Sequence, residues 1–583
     1  MTRNTETTPG EHDERTASDD QRAAGTESQA SNEQESTTAL ERRDYLRGIG
    51  AAGLAGGLGG LGLGAGATGS ALAQESWEAA ADERIEQYRM GDLEVVVETD
   101  DGAAVTDATV EIEQQGHDFG FGCMAHAEFL TRGSEWGEDI YTDEDQERYA
   151  ETLEEHFNMI VLENVHKWNL WEDNTEIADE AVEWARERDM DVRGHVALWG
   201  NIDAHAIPPR VVEAMGEDWE EAGEPDHDPD YVVEESMDHI ETIIEHYGDD
   251  ITEWEIVNEV FHEPAMIEAI EGQGTTPETA EILGDWYEFG EEVADRYDID
   301  IAVNDYNTLN GNHGYARDQY HDQIDYLMNE RGIDLDGIGM QSHHYADERI
   351  SYDEMMTRLD EYAQYGAGLK VTEFDMFGDG WDRQMQADYL HRFLKTFFSH
   401  PEAEDFLMWG HWDPVHWGPE MGDDPDAPLY EEDWTEKPAY DEYVDLVFDE
   451  WWTDESGTTD SSGEFETAVF HGDHEVTVTV NGESATQQVS VTDADGPVQL
   501  ELTVDGDGNG DDDPVVGDYT PEDTTGDGLR NDFTGDGQTT HDDVTAFFEN
   551  LEDDAIQQNW ADFDFAGTDE VGFADVVELL YDV

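Results

Sequence analysis

Two glutamates, Glu259 and Glu373, each close a short apolar run of the sequence. Glu259 ends Trp-Glu-Ile-Val-Asn-Glu at 254–259, and Glu373 lies in Leu-Lys-Val-Thr-Glu-Phe-Asp at 369–375. Such runs are typical of strands buried in a parallel sheet, and barrels of these strands present their chemistry at the carboxyl ends. One carboxyl group can protonate a leaving oxygen while another attacks the carbon that bore it. The pair therefore favours glycoside hydrolysis.

The segment between about residues 116 and 452 alternates short apolar strands with longer amphipathic helices. In the helical segments the apolar residues recur at a spacing that directs one face inward, as at Ile177, Ala181 and Ala185. Eight strand centres are predicted, near Phe121, Val161, His195, Ile256, Val303, Met340, Val371 and Met408. Eight strand–helix repeats predict an α/β fold, a (β/α)8 TIM barrel.

Further modules are predicted on both sides of the barrel. Residues 80–115 alternate in the manner of strands and predict a small β module, and the same period of two at 453–504 predicts a small β-sandwich. An acidic linker at 505–518 leads to a helical module at 519–583.

The chain is strongly acidic, with 148 Asp plus Glu against 26 Lys plus Arg and a formal net charge of -122. At about 1 M salt the Debye length falls to about 3 Å, so most of this self-repulsion is screened, and we expect a salt-adapted protein. Clustered Lys and Arg, which phosphate binding needs, are not found, so nucleic acid is excluded as a partner. Cys123 is the only cysteine, which excludes an intrachain disulfide and a thiolate metal cluster.

The N-terminal part has the pattern of an export signal. Residues 1–40 are polar and predicted to be disordered, and 41–73 contain Arg42-Arg43 followed by a Gly/Ala/Leu stretch that ends in Ala-Leu-Ala at 71–73. This predicts a twin-arginine signal and a folded, secreted protein that begins near Gln74. A transmembrane anchor is the weaker alternative because the stretch is rich in glycine, so no membrane association is expected.

The barrel motifs, read together, resemble glycoside hydrolase family 10, the retaining endo-β-1,4-xylanases, over roughly residues 116–450. The matching segments, in chain order, are Glu-Asn-Val-His-Lys-Trp at 163–168, Arg-Gly-His at 193–195 with Trp199, Asn258-Glu259, Asn-Asp-Tyr-Asn at 304–307, Gly-Ile-Gly-Met-Gln-Ser-His at 337–343, Thr-Glu-Phe-Asp at 372–375, and Trp409 with Trp417. Each lies at a predicted strand end. Gly200 departs from the pattern, since the family usually has a histidine there.

The resemblance implies a role for each matched residue. Glu259 is the acid/base and Glu373 the nucleophile, about 5 Å apart, and His343, near Asp375, keeps Glu373 ionised. Asn258 binds the sugar 2-hydroxyl. The remaining residues expected to bind the sugars are Glu163, Asn164, Lys167, His195, Trp199, Tyr306, Gln341, Trp409 and Trp417. No cofactor is expected for catalysis. Without the motifs, His195, His343 and Trp409 could equally be core residues.

The C-terminal module contains a loop of the EF-hand kind at 532–543. Its oxygen donors at the expected positions are Asp532, Thr534, Asp536, Gln538 and Asp543, with Gly537 at the turn. An amphipathic helix follows the loop, which favours a Ca²⁺ site over a solvated acidic turn. The module resembles a dockerin with one good and one degraded calcium site, and this resemblance implies a cohesin-like partner.

Two other functions fit the same residues. An endo-β-1,4-glucanase would share the mechanism, because a site that admits xylose accepts glucose if nothing blocks the hydroxymethyl group. A noncatalytic glycan-binding or scaffold protein would make the C-terminal module the working part. Comparing the hydrolysis of xylan with that of carboxymethylcellulose distinguishes a xylanase from a glucanase. Undiminished turnover by a Glu373→Ala protein would support the noncatalytic alternative.

Overall fold

The computed structural model describes residues 68–99, 102–133, 141–216, 227–421, 423–492 and 497–504, and short stretches between 516 and 581. The predicted disordered segment 1–40, the signal up to residue 67 and all of the linker 505–518 except Val516 lie outside the described residues. In the described part of the chain, no helix combines the length and the apolar character needed to cross a membrane.

The strands fall into one barrel and two smaller sheets. In chain order they are β1 (Met90–Thr99), β2 (Thr109–His117), β3 (Gly120–Ala125), β4 (Met159–Leu162), β5 (Asp191–Gly194), β6 (Leu198–Trp199), β7 (Glu253–Asn258), β8 (Asp300–Asp305), β9 (Gly337–Met340), β10 (His343–His344), β11 (Gly368–Met376), β12 (Ala403–Met408), β13 (Asp454–Thr458), β14 (Glu464–Phe470), β15 (Gly472–Val480), β16 (Glu483–Val491) and β17 (Val498–Val504).

The helices lie mainly between the barrel strands. In chain order they are α1 (Thr68–Tyr88), α2 (Ala127–Arg132), α3 (Asp143–His156), α4 (Trp168–Arg186), α5 (Pro209–Met215), α6 (Pro229–Tyr247), α7 (Ala265–Glu271), α8 (Glu281–Ala294), α9 (Gly314–Asp325), α10 (Tyr352–Tyr362), α11 (Arg383–Phe398), α12 (Pro438–Val444), α13 (His541–Glu549) and α14 (Phe573–Tyr581). Shorter 3-10 and π turns extend some of them.

Eight parallel strands close the barrel in the order β3-β4-β5-β7-β8-β9-β11-β12, and β12 pairs back with β3. The predicted barrel is therefore confirmed. Seven of the eight predicted centres fall within a strand, and His195 follows the end of β5 by one residue. Helix α8 illustrates how the sequence builds the outer layer, because Leu283, Trp286 and Tyr287 recur on its buried face.

The interior of the barrel is ionic as well as apolar. Lys370 Nζ lies 2.8 Å from Asp405 and 2.9 Å from Glu253. The guanidinium of Arg193 lies 2.7 Å from Glu253 and also binds Glu255. All five side chains are buried, so each charge depends on its partners rather than on water.

The two predicted β modules form a single β-sandwich, which corrects the sequence-based division into residues 80–115 and 453–504. Strand β1 lies between β14 and β17, and β2 lies between β13 and β15. Residues up to Tyr88 are helical rather than extended, and Ala81 and Ile85 on this helix are buried. Period-two alternation identifies strands but not their partners, which here come from opposite sides of the barrel sequence.

Candidate active site

The predicted site residues of the barrel gather at the carboxyl ends of its strands. Glu163 follows β4, His195 follows β5, Asn258 ends β7 and Glu259 follows it, Tyr306 follows β8, Gln341 and His343 follow β9, Glu373 and Asp375 lie near the end of β11, and Trp409 follows β12. These neighbouring strand ends therefore bring residues that are distant in sequence to one mouth of the barrel.

Glu259 lies in an environment that favours its protonated form. Its Oε2 accepts a hydrogen bond of 2.9 Å from Trp199 Nε1, and its Oε1 accepts one of 2.8 Å from Gln341 Nε2. Burial, with the nearby charges of Asp305 and Glu373, outweighs these bonds and raises the pKa of Glu259 to about 7. Glu259 also has a φ of 56°, a left-handed conformation that is uncommon for non-glycine residues.

Glu373 lies in the opposite kind of environment. His343 Nε2 lies 3.1 Å from its Oε2, and Asn304 Nδ2 donates to its Oε1 at 2.8 Å. Burial alone would raise the pKa of Glu373, but the His343 hydrogen bond, the electrostatic influence of the nearby His195 and His343 rings, and the Asn304 bond together lower it. Two glutamates at the same barrel mouth thus have pKa values that are shifted apart.

His343 is held between two carboxylates. Its Nδ1 lies 3.0 Å from Asp375, opposite the contact with Glu373. Although burial disfavours the imidazolium, Asp375 and Glu373 raise the pKa of His343 to about 10. Trp417 Nε1 donates to the other oxygen of Asp375 at 2.6 Å. The structure therefore brings His343, Asp375 and Trp417 together behind Glu373, and His343 is cationic near neutral pH.

A chain of amides connects the two glutamates. Gln341 Nε2, which donates to Glu259, also lies 3.3 Å from Oδ1 of Asn258. That same oxygen lies 3.3 Å from Asn304 Nδ2, the donor to Glu373. Amide groups keep their dipoles at any pH, so this chain orients both carboxylates without adding a charge of its own.

The residues predicted to bind sugar on one side of the cleft also meet. Lys167 Nζ lies 2.9 Å from Asn164 Oδ1 and 4.8 Å from the centre of the Trp199 ring. Glu163 is buried beside them after β4. Trp199 in turn donates to Glu259, so it links Lys167 and Asn164 to that carboxyl group.

Aromatic rings border the rest of the mouth. Trp409 is buried, with its ring edge-on to His195 at 5.2 Å, and Trp417 is half-buried at 4.8 Å from His343. Tyr306 stacks on the ring of His262 at 3.7 Å with an interplanar angle of 13°. Half-buried rings such as Trp417 and Tyr306 offer flat apolar surface to a ligand.

The sequence analysis assigned no role to Glu255 and Asn304, which prove central to the site. Glu255 is fully buried and binds His195 Nδ1 at 3.1 Å and Asn304 Nδ2 at 3.1 Å. The sequence does contain a signal for Glu255: a charged residue inside the apolar run 254–257 needs a buried partner, which indicates a polar contact inside the barrel. His195, Glu255 and Glu373 also bring potential metal-ligand atoms within 4.8 Å of one another. The hydrogen bonds from Asn304 to both glutamates and the contact of His195 with Glu255 already explain that grouping.

A second unanticipated group lies beside the acid. His262 Nδ1 lies 2.6 Å from Asp305 Oδ1, and burial raises the pKa of Asp305 well above its ordinary value. Nothing in the sequence Phe-His-Glu at 261–263 predicts this contact, because the pairing partner comes from the next barrel strand.

The predicted calcium loop is described in part. Asp532 accepts hydrogen bonds from the backbone N–H groups of Gly535 and Gly537, and Asp543 accepts from that of Thr534. Both carboxylates are buried within the loop, and oxygen donors of this kind suit Ca²⁺. Gln538 lies in the same turn, whereas Asp536 lies outside the described residues.

Comparison with known proteins gives matches along the barrel. The sequence profile described as "Glycosyl hydrolase family 10" matches residues 123–446. The chain is 26% identical over 415 residues to the "Anti-sigma-I factor RsgI6" of Acetivibrio thermocellus, covering 70% of this chain and 47% of that protein. It is 30% identical over 254 residues to the "Endo-1,4-beta-xylanase A" of Halalkalibacterium halodurans, which covers 40% of this chain and 58% of that protein. The chain thus spans about half the length of each relative.

Solved structures match the same region. Xylanase 10B from Thermotoga petrophila RKU-1, solved in complex with xylobiose, is 23% identical with a TM-score of 0.46, over 57% of this chain and 94% of that one.

Proposed function

The chain belongs to glycosyl hydrolase family 10, and from that premise we propose that it is a secreted, salt-adapted endo-β-1,4-xylanase. It would hydrolyse internal β-1,4-xylosidic bonds of xylan by a double displacement that retains the configuration of the anomeric carbon. The proposal rests on one observation above the others: Glu259 and Glu373 lie at one barrel mouth, and their surroundings shift their pKa values in opposite directions.

In the first step, Glu373 attacks the anomeric carbon as an ionised carboxylate, while Glu259 gives its proton to the departing glycosidic oxygen. The hydrogen bonds from His343 and Asn304 favour the charge that Glu373 needs before the attack. The raised pKa of Glu259 keeps a proton available near neutral pH.

In the second step, Glu259 takes a proton from water, which then displaces Glu373 from the glycosyl-enzyme. Glu373 is uncharged while it is esterified to the sugar, so one of the charges that raises the pKa of Glu259 is absent. The pKa of Glu259 is therefore lower in the glycosyl-enzyme, so its carboxylate stays ionised and able to accept a proton at the point in the cycle where a base is required.

The binding residues support a glycan substrate. Glu163, Asn164, Lys167 and His195 offer hydrogen-bonding groups on the nonreducing side of the scissile bond, and Trp417 and Tyr306 offer ring faces to the sugars. Asn258, between the two glutamates, is positioned for the 2-hydroxyl of the sugar that reacts.

The remaining proposals concern the regions outside the barrel. The twin-arginine pattern at 41–73 supports export of the folded protein, and the formal charge of -122 supports function in concentrated salt. The C-terminal module would hold Ca²⁺ through Asp532, Thr534, Asp536, Gln538 and Asp543, and a cohesin-like protein would be its partner.

The test is the release of reducing sugar from xylan and from carboxymethylcellulose in molar salt, with a Glu373→Gln protein as control. Xylan should be cleaved in preference, and the variant should be inactive on both polymers. Proton NMR of products from a defined xylo-oligosaccharide should show the β-anomer first. Initial release of the α-anomer, or full activity in the variant, would contradict the proposal.

A further inference from the structure

His126 is a buried histidine at the barrel mouth to which no role has been given. It directly follows β3, and Glu163 directly follows the neighbouring β4. The two strands are paired so that Ala125 lies opposite Leu162, and Glu163 N donates to Ala125 O at 3.2 Å. This register holds the two side chains at adjacent positions of the rim.

The imidazole of His126 lies between two carboxylates. Its Nδ1 is 3.2 Å from Oε2 of Glu128, and its Nε2 is 3.6 Å from Oε2 of Glu163. The side chain of His126 is 10% exposed, as is that of Glu163, while Glu128 is 20% exposed and lies toward the solvent. Tyr149 Oη accepts a hydrogen bond of 3.0 Å from the backbone N–H of His126, which fixes the base of the side chain.

The His126 ring lies between the carboxylates of Glu128 and Glu163, and in the proposed function Glu163 contacts the sugar. Glu128 orients the ring from behind, and the ring presents Nε2 to the carboxylate that the proposed function assigns to a sugar hydroxyl. A buried carboxylate without an imidazole beside it would rotate more freely and take up a proton more readily, and either change weakens its acceptance of hydroxyl hydrogen bonds.

We infer that His126 is a positioning residue for the outer glycone sugar: its imidazole, held between Glu128 and Glu163, fixes the carboxylate of Glu163 for a substrate that extends at least two sugars from the cleaved bond on the nonreducing side. The inference rests on the proposed function, because it takes Glu163 to bind sugar. It makes His126 a determinant of preference for longer chains over short ones, without a part in the bond cleavage itself.

The charge on His126 makes this preference depend on pH. Glu128 and Glu163 are the charged groups that the described residues place against its ring, and Lys167 lies near enough to influence Glu128. Burial lowers the pKa of His126, but the two carboxylates outweigh it and raise the pKa above its ordinary value. The support for Glu163 is therefore present at pH values below this raised pKa and is lost as the pH rises through it.

The test compares an aryl β-xyloside with the matching aryl β-xylobioside, because only the second places a sugar beyond the reacting one. The quantity measured is the ratio of kcat/KM for the xylobioside to that for the xyloside, across pH. In the His126→Gln protein this ratio should fall by about fivefold, the upper end of the effect expected for losing one ion pair that still touches solvent. In the unmodified protein it should fall as the pH rises through the raised pKa of His126.

Two further variants separate positioning from a general effect on packing. Glu128→Gln leaves the ring in place but removes the charge behind it, so the fall in the ratio should move to lower pH. His246→Gln alters a histidine–carboxylate pair on an outer helix, with Asp179, and should leave the ratio unchanged. A ratio that is independent of pH and unaffected by His126→Gln would overturn the inference. Failure of the unmodified protein to hydrolyse either glycoside would instead overturn the proposed function, and the inference with it.

Discussion

His343 Nε2 lies 3.1 Å from Oε2 of Glu373, and this contact joins a cationic imidazole to the carboxylate proposed as nucleophile. Asp375 holds the other nitrogen of the ring at 3.0 Å, so the imidazole cannot turn away from Glu373 without losing both partners. The ionisation of Glu373 thus depends on residues that approach it from two different strands.

The first prediction is that His343→Ala moves the acid limb of the pH profile to higher pH. Without the imidazolium, burial is opposed by fewer favourable contacts, so the pKa of Glu373 rises and the nucleophile is protonated over a wider range. The measurement is kcat/KM for an aryl xylobioside against pH. Trp417→Phe, which keeps a ring but loses the bond to Asp375, should give a smaller shift. An acid limb that stays in place in His343→Ala would argue against this role.

The second prediction separates the acid from the nucleophile. Glu259→Gln should lower kcat/KM on xylan by about 10² to 10⁴, the usual range for loss of general acid catalysis. The kcat/KM for an aryl glycoside with a very acidic phenol should change far less, because that leaving group needs no proton. The basic limb, near pH 7 in the unmodified protein, should disappear. Equal slowing of both substrates would show that Glu259 is not the acid.

The third prediction concerns the ions inside the barrel. Lys370→Met leaves Glu253 and Asp405 without their shared cation and should lower the free energy of unfolding by about 3–5 kcal/mol. Urea unfolding in molar salt at pH 7 measures the change. Arg296→Met, which breaks ion pairs on the outer surface, should have little effect. Equal midpoints for Lys370→Met and the unmodified protein would contradict the expectation.

The pH dependence of that loss has a definite sign. Burial raises the pKa of Glu253, but Lys370 and Arg193 outweigh it, so its pKa in the folded protein is below the ordinary value. The stability contributed by Glu253 is therefore present above its ordinary pKa and is lost as the pH falls through the lowered one. The difference between Lys370→Met and the unmodified protein should accordingly shrink in acid.

Much of the barrel could be predicted from the sequence because its signals are local. Apolar runs mark the strands, and the residue after each run is placed at the mouth by the geometry of a parallel barrel. Glu259, His343 and Glu373 are found in this way. The pairs His262–Asp305 and His126–Glu163 could not be predicted, since each joins side chains from different strands and depends on register.

The β-sandwich shows the same limit on a larger scale. Alternation at 80–115 and at 453–504 predicts strands, but a period of two says only that one face of a strand is buried. The strands that cover that face are set by where the chain leaves the barrel after its last helix, which the alternation does not indicate. Strand β1 finds both of its neighbours more than three hundred residues later in the sequence.

The last prediction follows from this pairing. A protein that ends at residue 452 lacks both neighbours of β1, and the fully buried side chains of Leu93, Val95 and Val97 would face water. We expect it to aggregate, because an exposed apolar strand with two open edges is a template for association. A protein that ends at residue 504 keeps the whole sandwich and should retain both its melting temperature and the proposed xylanase activity. Soluble yield and calorimetry in molar salt measure the difference between the two shortened proteins. If the protein that ends at residue 452 stays soluble and has the melting temperature of the full chain, the sandwich is dispensable for stability.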